Sequence, residues 1–211
     1  MTEFQNRTVG ILIYEEMEVL DFAGPFEVFS VTRADQEADC QSPLPYSVRL
    51  IAESTESVTA TGGMRVLPDF SFSDCPALDL LVVPGGHGSR AQMGNPELLR
   101  FITAQASRVD TVASVCTGSL LLAKSGLLDD RRATTHWRVL DLMQEMFPRV
   151  QVDRFRHVVV DGAVVTSAGI SAGIDMALYL VAKQHGEGIA RATARQMEYP
   201  YPESDRRRIE L

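Results

Sequence analysis

The chain has 211 residues, 45% of them hydrophobic and 23% charged, and 20 lysines and arginines against 28 aspartates and glutamates leave a net charge of −8. This is ordinary globular composition, and the usual length of roughly 100 to 200 residues per domain predicts a single domain over 1–211, with its core at about 8–200 and a polar tail at 201–211. The acidic balance argues against the clustered cationic surface that a nucleic acid or an anionic membrane requires. No apolar run approaches the roughly 18 residues of a membrane span, and Met1–Arg7 lacks the apolar core of a secretory signal, so a cytoplasmic protein is expected. Cys40, Cys75 and Cys116 form no CxxC and cannot all pair, which favours reduced thiols.

Thr8–Tyr14 is a continuous apolar run too short for a helix, and it suits a strand buried on both faces of a parallel sheet. Gly24-Pro25 opens an apolar cluster at helical spacing, Phe26–Arg33, with Pro25 fitting a first helical turn. Asp35–Pro45, which contains Cys40, reads as a loop, and Tyr46–Ala52 alternates as a second strand. Ser57–Phe70 carries Gly62-Gly63 between two extended runs, the pattern of a peripheral hairpin or a pair of edge strands. Leu78–Val83 is a second buried run, closed by Pro84-Gly85-Gly86-His87-Gly88, and Asn95-Pro96-Glu97 starts a helix over Leu98–Ala106. Thr111–Val115 is a third buried strand that runs straight into Cys116, followed by a short apolar helix, Thr117–Ser125, that Gly126 ends. A helix over His136–Met146 is stopped by Pro148, and His157–Val160 and Ala163–Thr166 form a hairpin about Asp161-Gly162. A core helix over Ile174–Ala182 and a last helix over Gly188–Glu198 precede the tail with Arg206-Arg207-Arg208, which can pack on its own surface or on a second subunit. The alternation of strands and helices predicts an α/β fold with a mainly parallel sheet sandwiched by helices.

Three features carry chemistry. Cys116 stands at a strand-to-helix junction, where ligands of open α/β sheets bind and where a helix N-terminus favours thiolate. The same residue type also fills cores, and position alone weighs the two roles equally. The glycine loop after Val83 can aim the amides of Gly86 or His87, together with that of Thr117, at a developing negative charge, although a plain glycine-rich turn explains the loop as well. Asp21 follows the first strand and so reaches the same sheet edge; it can serve as general acid and base, while the residues alone favour a helix cap. His87, His136, His157 and His185 have no metal-ligand spacing, so no metal is expected. His136 reads as a helix-start residue, Asp175 as a satisfied buried polar group and Cys75 as a loop packing residue.

Leu20–Pro25 (LDFAGP), Pro84-Gly85-Gly86, Ser114–Ser119 (SVCTGS) and Ala133–Trp137 (ATTHW) together resemble the ThiJ/PfpI superfamily, the class I glutamine amidotransferase-like proteins, and within it the isocyanide hydratases. Thr166–Asp175 and Met197–Pro200 (MEYP) extend the resemblance along about the whole of residues 8–200. It implies a flavodoxin-like fold with a cysteine at a nucleophile elbow, Cys116 as nucleophile, Asp21 as acid and base, and Thr117 as a neighbour that holds the site. It also implies hydration of an isocyanide to an N-substituted formamide without a cofactor, in a homodimer. Superfamily proteases and stress proteins commonly carry glutamate at the place of Asp21, and protease-like members carry histidine at the place of Thr117, so peptidase and amidotransferase chemistry loses its base. The rivals are a small-molecule sensor related to the N-terminal domain of AraC-type regulators, and a redox sensor whose thiol oxidises to sulfinic acid. A DNA-binding regulator is disfavoured because only about a dozen residues follow Tyr199, too few for a helix-turn-helix pair.

Overall fold

The computed structural model describes residues 6–34 and 44–209, and the expected Cys40 loop falls almost wholly outside them. In chain order the elements are β1 (Arg7–Leu12), α1 (Val19–Val31), β2 (Tyr46–Ala52), β3 (Val58–Thr59), β4 (Arg65–Val66), β5 (Phe70–Ser71), β6 (Leu80–Val83), α2 (Ser89–Gln92) and α3 (Pro96–Ala106). There follow β7 (Thr111–Val115), α4 (Gly118–Lys124), β8 (Arg132–Ala133), α5 (Leu140–Met146), β9 (Gln151–Val152), β10 (Val158–Asp161), β11 (Val164–Ser167), α6 (Ala172–His185) and α7 (Glu187–Gln196). No helix among the described residues is long and apolar enough to cross a membrane.

Seven strands form one sheet in the order β10-β11-β7-β6-β1-β2-β5, parallel throughout except for the β10-β11 hairpin. The three apolar runs explain this centre. Every residue of β6 and of β7 is buried, which requires helices over both faces, and α1 with α6 and α7, and α3 with α4, supply them. The result is the flavodoxin-like α/β fold. Leu120, Leu121 and Leu122 of α4 are all fully buried, and removing such a side chain from water contributes about 1.5–3 kcal/mol.

The chain leaves β1 toward β2 on one side, whereas β6, β7 and β11 lie on the other. The order therefore reverses between β1 and β6, and the crevice of such a sheet opens beyond the strand ends at that point. The loops after β1 and β6 are stitched together there: Met17 and Gly86 form an isolated antiparallel bridge, Glu18 N donates to Gly85 O at 3.0 Å and Gly88 N to Glu16 O at 3.0 Å.

Several local expectations need correction. Helix α1 begins at Val19, five residues before Gly24, so Asp21 lies in its first turn and Pro25 inside it. Pro25 removes the donor that would pair with the Asp21 carbonyl, and packing holds the helix across the gap: Gly24 lies so near α6 that a Cβ there would meet Ile174 Cγ1 at 2.9 Å. The Gly62-Gly63 hairpin is β3 and β4, a separate two-stranded sheet, and β5 adds an edge strand to the main sheet. The helix expected from His136 begins as a 3-10 turn over Trp137–Val139 before α5. Two-residue strands β8 and β9 were not foreseen, being too short to show periodicity.

Candidate active site

Cys116 joins β7 to α4 with φ +56°, a left-handed conformation that costs a non-glycine residue on the order of 1–3 kcal/mol. The surroundings enforce it. Cys116 N donates to Ala168 O at 3.0 Å, while its carbonyl accepts from Ser119 Oγ and from Thr135 Oγ1, each at 3.0 Å. Gly118 lets α4 start directly against β6, since a Cβ there would fall 2.1 Å from Val83 O. The side chain is 6% exposed.

Asp21 is fully buried and turned away from its helix end. The N-cap of α1 is Glu18, so Asp21 is not the cap that the residues alone suggested; its Oδ2 instead accepts from Gly85 N at 2.9 Å. Burial raises its pKa from 3.8 to about 7; the Gly85 amide opposes that, Glu18 adds to it, and the Cys116 thiol, as a hydrogen-bonding neighbour, opposes it. Among the described residues, Oδ1 has no partner at ordinary hydrogen-bond distance. Tyr14, at the end of the first apolar run, donates to Pro84 O at 2.6 Å and fixes the start of the glycine loop.

Burial, and next the charge of Asp21, push the Cys116 thiol well above its ordinary value; the amides of Thr117 and Ile170 and the Thr117 hydroxyl pull the other way. The thiolate-favouring effect expected of the helix N-terminus is thus outweighed, first by burial of the sulfur and next by the carboxyl alongside. Thr117 is 5% exposed, and its hydroxyl ties the loops: Oγ1 accepts from Gly86 N at 2.9 Å and from Ser89 Oγ at 3.0 Å, and donates to Gly86 O at 3.1 Å.

Cys116, Asp21, Thr117 and Gly86 therefore converge. The Gly86 amide is already engaged by Thr117, and it reaches an anion only by giving up that bond. His87 is exposed on the rim of the same loop. His136 accepts from Arg138 N through Nδ1 at 3.3 Å and so begins the 3-10 turn, as its position suggested. Asp175, 2% exposed, accepts from Tyr199 at 2.9 Å through Oδ1, while its Oδ2 lies 2.8 Å from both Arg208 Nη2 and His157 Nε2. Cys75 is a free thiol, half-buried, that burial pushes up to about 11, and it lies outside this cluster. Three residues were missed: Tyr14, Ser89 and Ile170. Ile170 has φ +56° and offers its amide to the sulfur. The signal available for it was a glycine-bearing loop after a strand parallel to β7, hence at the same sheet edge.

Residues 7–183 match the DJ-1/PfpI family. An isonitrile hydratase of Pseudomonas putida is 38% identical over 199 residues, 93% of this chain and 81% of that protein. The HTH-type transcriptional regulator GbdR of Pseudomonas aeruginosa is 31% identical over 98% of this chain, which spans 56% of the regulator's length. Among solved structures, a ThiJ/PfpI family protein of Pseudomonas syringae superposes with a TM-score of 0.82 at 30% identity, over 96% of this chain and 79% of that one. DJ-1beta of Drosophila melanogaster, at 21% identity and a TM-score of 0.77, shares the fold. With the family match spanning the sheet from β1 and most of α6, and with it every residue of the cysteine site, the chain belongs to the DJ-1/PfpI family.

Proposed function

We propose that the protein hydrates isocyanides to N-substituted formamides through a covalent thioimidate on Cys116. The observation that carries this reading is the buried Asp21 carboxyl, held near pH 7 beside the thiol, in a chain 38% identical to an isonitrile hydratase. A carboxyl that titrates near neutrality is suited to give and take protons at working pH.

With one proton left on the pair it rests on sulfur, and its transfer to Asp21 gives the reactive arrangement of thiolate and carboxylic acid. The sulfur adds to the terminal isocyanide carbon, and Asp21 gives its proton to that carbon, leaving R–N=CH–S–Cys116 and a carboxylate. Asp21 then draws a proton from water as its oxygen adds to the same carbon, and that proton passes to nitrogen. In the collapse the new hydroxyl returns its proton to Asp21, the C–S bond breaks, and R–NH–CHO leaves with thiolate and acid restored. Thr117 N and Ile170 N face the sulfur and stabilise its charge at the start and end of the cycle. The test is formamide formation from an aryl isocyanide by purified protein. Turnover is expected in wild type and none in Cys116→Ala, and equal rates in the two would overturn the reading.

A second reading is a small-molecule sensor, favoured by one observation: 31% identity to GbdR over 98% of the chain. It predicts no turnover, and for Asp21→Asn it predicts only an altered rate of peroxide oxidation of Cys116 to sulfinic acid, read by intact mass.

A further inference from the structure

Residues after α7 are strapped back across the fold. Arg206 bridges to Arg156, Arg207 N donates to Phe155 O at 2.7 Å, and Arg208 Nη2 lies 2.8 Å from Asp175 Oδ2. Between this strap and the loop after β11 is a cavity of about 370 Å³, lined among others by His136, Trp137, His157, Ile170, Arg207 and Ile209. That lies within the range of small-molecule sites, roughly 300–1,000 Å³.

Its charge is one-sided. Arg207 donates from Nε to Arg154 O at 2.9 Å and from Nη2 to Thr134 Oγ1 at 2.8 Å and Thr135 O at 3.1 Å, all neutral acceptors. Its Nη1 has no partner among the described residues, and Asp153, the acid that acts on it, is engaged by Arg132 at 2.7 Å. Arg90 and Arg138 act with Arg207 on His136, and none of the three forms an ion pair among the described residues. His157 is 7% exposed; its Nε2 is 2.8 Å from Asp175 Oδ2, and its buried Nδ1 has no hydrogen-bond partner among the described residues. The charge of Asp175 is already met by Arg208. In a chain of net charge −8, a half-buried guanidinium hydrogen-bonded only to neutral groups, with Arg90 and Arg138 near enough to act on His136 and Arg138 stacked on Trp137 at 4.9 Å, is a place suited to a counter-ion. Trp137, Ile170 and Ile209 stay 43%, 37% and 48% exposed, an apolar lining beside that charge.

We propose that this cavity binds a small organic anion, a carboxylate on an apolar body, with Arg207 as its anchor and Trp137 and Ile170 against the body. Ile170 presents its amide to Cys116, so the ligand touches the segment that holds the thiol. The carboxylate can come from two sources, a substituent of the substrate or a separate acid; the first of these rests on the isocyanide reading.

Trp137 is the single tryptophan of the chain, so its fluorescence reports occupancy without any turnover. Benzoate is expected to give a saturable change, benzamide to bind at least about tenfold more weakly, and Arg207→Gln to lose about tenfold or more for benzoate, as expected of a charge-assisted bond. Because Arg207 also fastens the tail and Arg138 stacks on the reporter Trp137, Arg90→Gln provides a second probe. Among the described residues the Arg90 side chain makes no bond to the tail, and the variant is expected to weaken benzoate about twofold. Benzoate that raises KM for phenyl isocyanide at unchanged kcat identifies a substrate-borne carboxylate, whereas a change in kcat identifies a separate acid. No saturable change, equal affinity for benzoate and benzamide, or unchanged benzoate binding in Arg207→Gln overturns the site. Since the fluorescence arm needs no isocyanide, its failure is distinct from failure of the hydratase reading.

Discussion

Asp21 and Cys116 share one buried environment, so their protons come off as a pair. Below about pH 7 both are held, as carboxylic acid and thiol, and no nucleophile exists; above it one proton is shared. The kcat/KM for an aryl isocyanide is therefore expected to rise with pH to a plateau above about 7, and pH–rate profiles of wild type should show that limb. Asp21→Asn accepts from Gly85 as the carboxylate does but cannot exchange a proton; it is expected to lose about 10²–10⁴-fold in kcat. The same residue sets a stability window. A carboxyl raised from 3.8 to about 7 holds its proton more tightly folded than unfolded, so stability falls as pH rises from about 4 to 7 and is lowest above 7. The full effect is on the order of 4 kcal/mol. In thermal melts at pH 4, 5.5 and 8, the advantage of Asp21→Asn over wild type should grow with pH; a constant difference would contradict a raised native pKa.

At the scale of elements, the junctions after β1, β6 and β7 matter more than the helices that follow them. Thr117 is the knot, with three hydrogen bonds to the glycine loop and α2. Thr117→Val keeps shape but strands the Gly86 amide, which is expected to cost about 1–3 kcal/mol and to lower turnover without abolishing it. Urea unfolding beside the isocyanide assay measures both, and an unchanged midpoint would remove Thr117 from that role. Gly118→Ala drives a methyl to 2.1 Å from backbone oxygen of Val83, which no side-chain rotation relieves. It is expected to destabilise by more than about 2 kcal/mol or to prevent folding, measured as a drop in Tm of several degrees.

As a whole the molecule is expected to unfold in one transition, since the sheet runs unbroken from β10 to β5. The homodimer implied by the resemblance is expected in sedimentation velocity at micromolar concentration, and a monomer alone would remove it. Arg206, Arg207 and Arg208 are tied to their own chain through Arg156, Phe155 and Asp175.

The central strands and the Cys116 junction were legible because burial on both faces leaves a continuous apolar run, and because a cysteine ending such a run can lie only at the sheet edge. The cap of the Asn95 helix was legible for a local reason: its Oδ1 accepts from Glu97 N and Leu98 N. Asp21 was not legible as an acid from composition, because a first-turn aspartate and a proton carrier share one local sequence. Its pKa near 7 arises from burial under a loop 64 residues away in the chain. The start of α1 was hidden by Pro25, whose local preference for a first turn yields to packing against α6. The glycine-bearing loop placed Ile170 only at the right sheet edge, and its contact with the sulfur and the cavity under the tail belong to the tertiary structure, since they depend on which groups meet after residues 116, 170 and 207 come together. Residue patterning determined the layers and the nucleophile's place, because burial periodicity is written locally; the protonation and electrostatics of the site were decided by long-range contact.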